Sequence, residues 1–211
     1  KWHKKRPLLG RQEGMMMDYK DPNNRVHLIR LRSQTLRRYY HYIHDQLRSN
    51  YKKAAIFILW LGKYLSYQLN EQSFRPNYNI NYRRGQVILV DFGYRIGSEL
   101  GGAHYAVVMD VRSSKHNNQL TVVPLRSNKG KDTRYLSIYT VNIGTEVKDI
   151  LNRHNHTTAD MYDETIADVG QMCTISKMRI ITPTKARDYL AGECLSASAK
   201  FVTIFRFLLI S

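Results

Sequence analysis

The stretch Arg84–Leu125, RGQVILVDFGYRIGSELGGAHYAVVMDVRSSKHNNQLTVVPL, decides the fold. Three apolar, β-branched runs, Val87–Val90, Ala106–Met109 and Leu120–Val123, are separated by glycine-rich and polar connectors. Runs of this length and make-up, bounded by turn residues, read as an antiparallel β-meander. The first connector, Gly97-Ser98-Glu99-Leu100-Gly101-Gly102, places a hydroxyl and a carboxylate between glycines just before His104. A glycine-rich loop lets backbone N–H groups approach a phosphate closely. Thr121 opens the third run, where its hydroxyl can face the same loop.

Outward from this stretch, charge is distributed unevenly. The chain has 211 residues and a formal net charge of +16. Residues 1–83 hold 17 basic and 5 acidic side chains, whereas residues 84–211 hold 16 and 12. The excess lies mostly ahead of the β-meander, and such an excess attracts polyanions or else is a solvated basic surface. Cys173 and Cys194 are the only cysteines, too few and too far apart for a zinc motif or a disulfide framework. Cys173, among Met172, Ile175 and Met178, reads as a buried thiol, and a reducing cytoplasm fits. The longest purely apolar run, Ala54–Leu61, is well short of the ~18 residues of a membrane-spanning helix.

Four ordered segments resemble the MazF/PemK family of bacterial toxin–antitoxin ribonucleases. They are Arg84-Gly85-Gln86 at the start of the first strand, the connector Gly97–Gly102, Thr121 with Pro124-Leu125-Arg126-Ser127, and the closing segment Gln171–Arg179. The resemblance spans about Tyr82–Pro183. It implies a mainly β, α+β fold: a small, twisted, antiparallel SH3-like barrel with peripheral helices. It also implies a homodimer, a cognate antitoxin and cleavage of single-stranded RNA, with no cofactor. Where the family carries a catalytic arginine followed by proline, this sequence has His104-Tyr105. Gyrase-poisoning toxins share the fold, and a binding module that has lost turnover is the other alternative.

The expected organisation has four parts. Residues 1–24 read as a disordered or leader-like N-terminus. Residues 25–76 read as a basic helical extension, with helices over 25–48 and 52–70 and a break at Asn50-Tyr51. Residues 77–183 form the β-domain, and 184–211 a C-terminal helix. In the first helix Val26, Ile29, Leu36, Tyr39, Tyr40, Ile43 and Leu47 recur at helical steps, with arginines mainly between them. In the second, Ile56, Leu59, Trp60, Lys63, Tyr64 and Tyr67 form one broad side. The interleaving fits RNA, with bases on tyrosines and phosphates on arginines. It equally fits a helical hairpin packing its aromatics on itself, on the β-domain or on a partner.

The chemistry these residues support needs no metal. RNA supplies its own nucleophile, the 2′-OH; a base, donors to the phosphate and a proton for the leaving oxygen complete the requirement. His104 is the best base, its ordinary pKa being ~6.5. Thr121 and Ser127 are hydroxyl donors to the phosphate, and Glu99 orients His104 or a loop cation. Arg84, Arg95, Ser98, Gly101, Gly102, Arg126 and Lys129 are the candidate RNA-binding residues, with Lys131 a further cation. Structural alternatives stand beside these: a strand-end histidine, an ordinary strand threonine, and Glu99 fixing the loop through Arg95 or Arg84. His154 and His156, near Asp160 and Asp163, read more readily as solvated loop residues than as metal ligands.

Overall fold

The computed structural model describes residues 18, 20–128, 139–156 and 164–196. Residues 1–58 and 59–211 form two compact units, the division falling inside a helix.

The first unit holds α1 (Arg25–Ser49) and the start of α2 (Tyr51–Asn70). Asn50, at φ −153°, leaves helical geometry, so the break falls where expected. No residue of α1 is buried. Most of its apolar positions are open to solvent: Leu36 is 61 % and Tyr40 66 % exposed, whereas Leu28 and Ile43 are partly covered. Phe57 of α2 is buried and has ring contacts with Tyr39 and Tyr42. The helical periodicity is therefore real, but most of the face it defines covers no core.

The second unit is built on seven strands among the described residues: β1 (Val87–Asp91), β2 (Ala103–Val108), β3 (Gln119–Ser127), β4 (Thr140–Gly144), β5 (Thr165–Asp168), β6 (Cys173–Ser176) and β7 (Ile180–Thr182). All pairings are antiparallel, in the order β4-β5-β3-β2-β1-β7, with β6 also on β3. The strand expected over Thr174–Ile181 is divided. A short 3-10 turn at Lys177–Arg179 carries the chain from β6, on β3, to β7, on β1, and so closes the circuit β1-β2-β3-β6-β7. This is the SH3-like barrel that the resemblance implies.

Alternation along the strands gives two cores, because successive side chains point to opposite faces. Ile88, Val90, Ala106, Val108, Leu120 and Val122 fill the barrel with Tyr82 and Phe92. Val87, Val107, Val123 and Leu125 face outward and are covered by β4, β5 and α3 (Glu146–Arg153), whose Val147, Ile150 and Leu151 form its buried face.

The expected C-terminal helix is absent from 184–196, which form turns and a bridge from Cys194 to Gln86. Tertiary pairing outweighs helical propensity there. Val87 N–H donates to Glu193 O and Leu195 N–H to Gly85 O, while Leu190 and Leu195 join the outer core. The remainder of that segment, 197–211, lies outside the described residues, as do 1–17 of the expected leader.

Candidate functional site

The connector between β1 and β2 is a tight loop pinched at its base. Phe92 N–H donates to Gly102 O and Gly102 N–H to Gly93 O, both at 2.8 Å. Gly101 is needed for close approach: a Cβ there would lie 2.8 Å from Gly93 O. Two side chains brace the loop. Arg95 donates to Phe92 O at 3.0 Å and lies 3.9 Å from Glu99. Gln171, from the turn before β6, accepts from Leu100 N–H and reaches Ser98 O and Asp168 with its amide. Between the loop and this turn lies a cleft of about 300 Å³, lined by Phe92, Arg95, Ser98, Glu99, Gln171 and Cys173 among others. Arg126 lies 3.5 Å from the same Asp168 that Gln171 touches.

Arg95, Ser98, Glu99 and Gly101 are thus brought together, and Gly102 closes the loop. Glu99 takes the bracing role weighed for it, through Arg95 rather than Arg84. His104 is half-buried at the start of β2. Burial pushes its pKa below the ordinary histidine value, and hydrogen bonding to the backbone of Gly101 and Leu125 partly opposes this. Its environment therefore favours the neutral imidazole.

Three expected members stand elsewhere. Thr121 is not beside the loop. The register Ala106↔Pro124 places His104 opposite Arg126, five residues and about 16 Å along β3 from Thr121. There Thr121 N–H donates to Asp110 at 2.7 Å and its O accepts from Met109 N–H. Arg84 is also remote: it lies ahead of β1, whereas the loop follows β1, and its Nε donates to Met109 O. Ser127 pairs with Thr165 of β5 and, by strand alternation, lies on the outer face with Leu125 rather than the barrel face. Lys129 and Lys131 fall outside the described residues.

Cys173 is only half-buried. It lines the cleft, and burial raises its thiol pKa against the pull of Arg95 and Arg179. His154 pairs with Glu193 at 2.8 Å and His156 stacks on Tyr189 at 3.7 Å. Their suggested companions Asp160 and Asp163 fall outside the described residues.

Sequence reasoning overlooked Asp91 and its partners. Asp91, at the end of β1, is buried and receives Lys63 Nζ and Tyr67 Oη, both at 2.9 Å, and Gly93 N–H at 3.0 Å. Burial alone would raise its pKa; these donors outweigh burial and hold it below the ordinary carboxylate value. Arg179 donates to Asp91 O at 2.8 Å. The second half of α2 is thereby fixed to the root of the loop. The signal was present in the spacing Trp60, Lys63, Tyr64, Tyr67, which marks one helix face.

A family described as PemK-like, MazF-like toxin of type II toxin–antitoxin system matches residues 83–192, just over half of the chain. The chain belongs to this family. The match takes in the seven strands, the loop and Gln171, and ends at residue 192, inside the segment that follows β7. Both α1 and α2 precede it. Membership implies a cognate antitoxin as partner. No curated protein matches the chain. No helix among the described residues is long and apolar enough to cross a membrane.

Proposed function

We propose that this toxin is a cytoplasmic endoribonuclease that cuts single-stranded RNA without a metal ion and acts as a homodimer. The observation that carries the proposal is the cleft that joins Arg95, Ser98 and Gln171 beneath the pinched glycine loop, with His104 following that loop at the start of β2. In this reading His104 takes the proton from the RNA 2′-OH. The 2′-oxygen attacks the adjacent phosphorus, the bond from phosphorus to the 5′-oxygen breaks, and the 5′-oxygen takes its proton from water. The products are a 2′,3′-cyclic phosphate and a 5′-hydroxyl. Arg95 supplies fixed positive charge to the phosphate, the part a histidine cannot play while neutral. Arg126 extends that charge along the strand, and loop N–H groups add donors.

The test is incubation of the purified protein with a long single-stranded RNA in excess EDTA, followed by mapping of new 5′ ends. Discrete 5′-hydroxyl ends are expected. Cleavage abolished by EDTA and restored by a divalent ion overturns the mechanism. A second reading, RNA binding without turnover, draws on His104 standing half-buried where the family carries its catalytic arginine. Tight RNA binding with no new ends under any condition establishes it instead.

A further inference from the structure

A second cleft, of about 330 Å³, adjoins the first and shares Phe92 and Arg95 with it. Its other wall comes from α2, which lies ahead of the matched family segment. Trp60 and Tyr64, one helical turn apart, stack at 5.3 Å between centroids with planes 22° apart. Tyr94, in the loop, leans on Trp60 at 6.0 Å. Gly93 lets this happen: at φ +75° it bears no side chain, and a Cβ would meet Trp60 Nε1 at 2.5 Å. Tyr64 keeps 47 % of its surface open. Gln68 and Glu71, both exposed, line the same cleft further along α2, and Arg179 lines it from the barrel side.

We infer that this aromatic cleft is a nucleobase subsite: it takes an unpaired RNA base next to the phosphate held at Arg95. The inference rests on the ribonuclease reading above and adds a determinant from outside the family segment. Three observations converge on one occupant. The cleft is continuous with the phosphate cleft through a shared arginine. Its walls are aromatic and partly open, which suits a flat π-surface. An amide and a carboxylate lie where a base edge needs partners, and single-stranded RNA is read by such stacking and edge contacts. A carboxylate only accepts hydrogen bonds, so Glu71 favours a base that presents amino or imino donors.

The experiment measures binding of a short single-stranded RNA made uncleavable by 2′-deoxy substitution, with each nucleotide in turn replaced by an abasic one. For the full chain, one position beside the cut should weaken binding about 5- to 160-fold, the range of one stacked base. In Tyr64→Ala the parent RNA should bind correspondingly more weakly, and abasic substitution at that position should cost nothing further. Tyr64→Phe, which keeps the ring, should bind as wild type and controls for folding. Trp2 and Trp60 are the only tryptophans, so Trp2→Phe leaves Trp60 as sole reporter, and RNA should quench it. Tyr64→Ala that binds and scans like wild type, with Arg95→Ala still weakened, overturns the subsite and leaves the nuclease reading standing. Wild-type protein that binds no single-stranded RNA overturns both.

Discussion

Helix α1 and strand β1 both carry a regular apolar pattern, and they meet opposite fates. Four of the five residues of β1 are buried, including a charged one. None of the twenty-five residues of α1 is. The difference lies in what each pattern has to pack against. β1 has paired strands on both edges and apolar layers on both faces, so each of its residues has partners. α1 carries six arginines and one aspartate, and its apolar side is left largely in water. Periodicity predicts that an element forms; only the surrounding fold decides whether burial stabilises it. The barrel is accordingly where burial stabilises the fold, whereas α1 offers mainly a charged, solvent-exposed surface.

The sharpest challenge to that division is His104→Ala, which should lower turnover by about 10²–10⁴-fold with RNA binding little changed, measured by single-turnover cleavage. Because burial depresses the pKa of His104, wild-type cleavage should be flat through neutrality, with its acid limb falling below the ordinary value of ~6.5. If His104→Arg restores cleavage without that limb, the position works through charge. Thr121→Ala, remote from the loop, should cut at the wild-type rate.

Next come paired core and surface truncations. Leu120→Ala, inside the barrel, should cost about 2–5 kcal/mol by urea denaturation. Leu36→Ala on α1 should stay within about 0.5 kcal/mol. A large destabilisation at Leu36 would show that α1 has a partner surface in solution, and the comparison would fail.

A smaller effect is expected where α2 meets the barrel. Tyr67→Phe removes one donor to Asp91 and should cost about 1–2 kcal/mol at neutral pH. The sign with pH follows from the lowered Asp91 pKa. The contribution is complete above the unfolded carboxylate value of ~3.9 and disappears as pH falls through the folded one. The gap between wild type and variant should therefore close in acid.

The subtlest change is in α1 itself. Replacing Arg30, Arg32 and Arg37 by glutamine should leave stability and saturated turnover unaltered. The salt dependence of RNA binding should flatten by about 0.7 in log–log slope for each phosphate that the helix no longer neutralises. An unchanged slope would assign α1 to a protein partner instead of RNA.

These contrasts mirror what was legible in the sequence. The strands were, because Val87–Val90 and Leu120–Val123 are short β-branched runs between turn signals. The loop half of the site was also legible, since Arg95, Ser98, Glu99 and Gly101 are neighbours in the chain. Gln171 and Cys173 were not seen as site residues, because they reach the cleft through pairing of β6 with the distant β3, Val122 against Cys173. Thr121 was misplaced for a related reason: motif order fixes sequence position, whereas strand register fixes which end of the barrel a side chain occupies. For Asp91 the only sign lay on its partners' side, in the helix face that carries Lys63 and Tyr67; nothing around Asp91 itself indicates that they come to meet it.

Strand β3 holds together more than the site. Its first residues pair with β6, its middle with β2 and its last with β5. Both apolar layers take side chains from it: Leu120 and Val122 on one face, Val123 and Leu125 on the other. The barrel and the α3-bearing layer therefore cannot melt one at a time, because opening either strips a strand from the other. Amide hydrogens of Val122–Leu125, proline excepted, should exchange with solvent only through global unfolding and so report the stability of the whole domain.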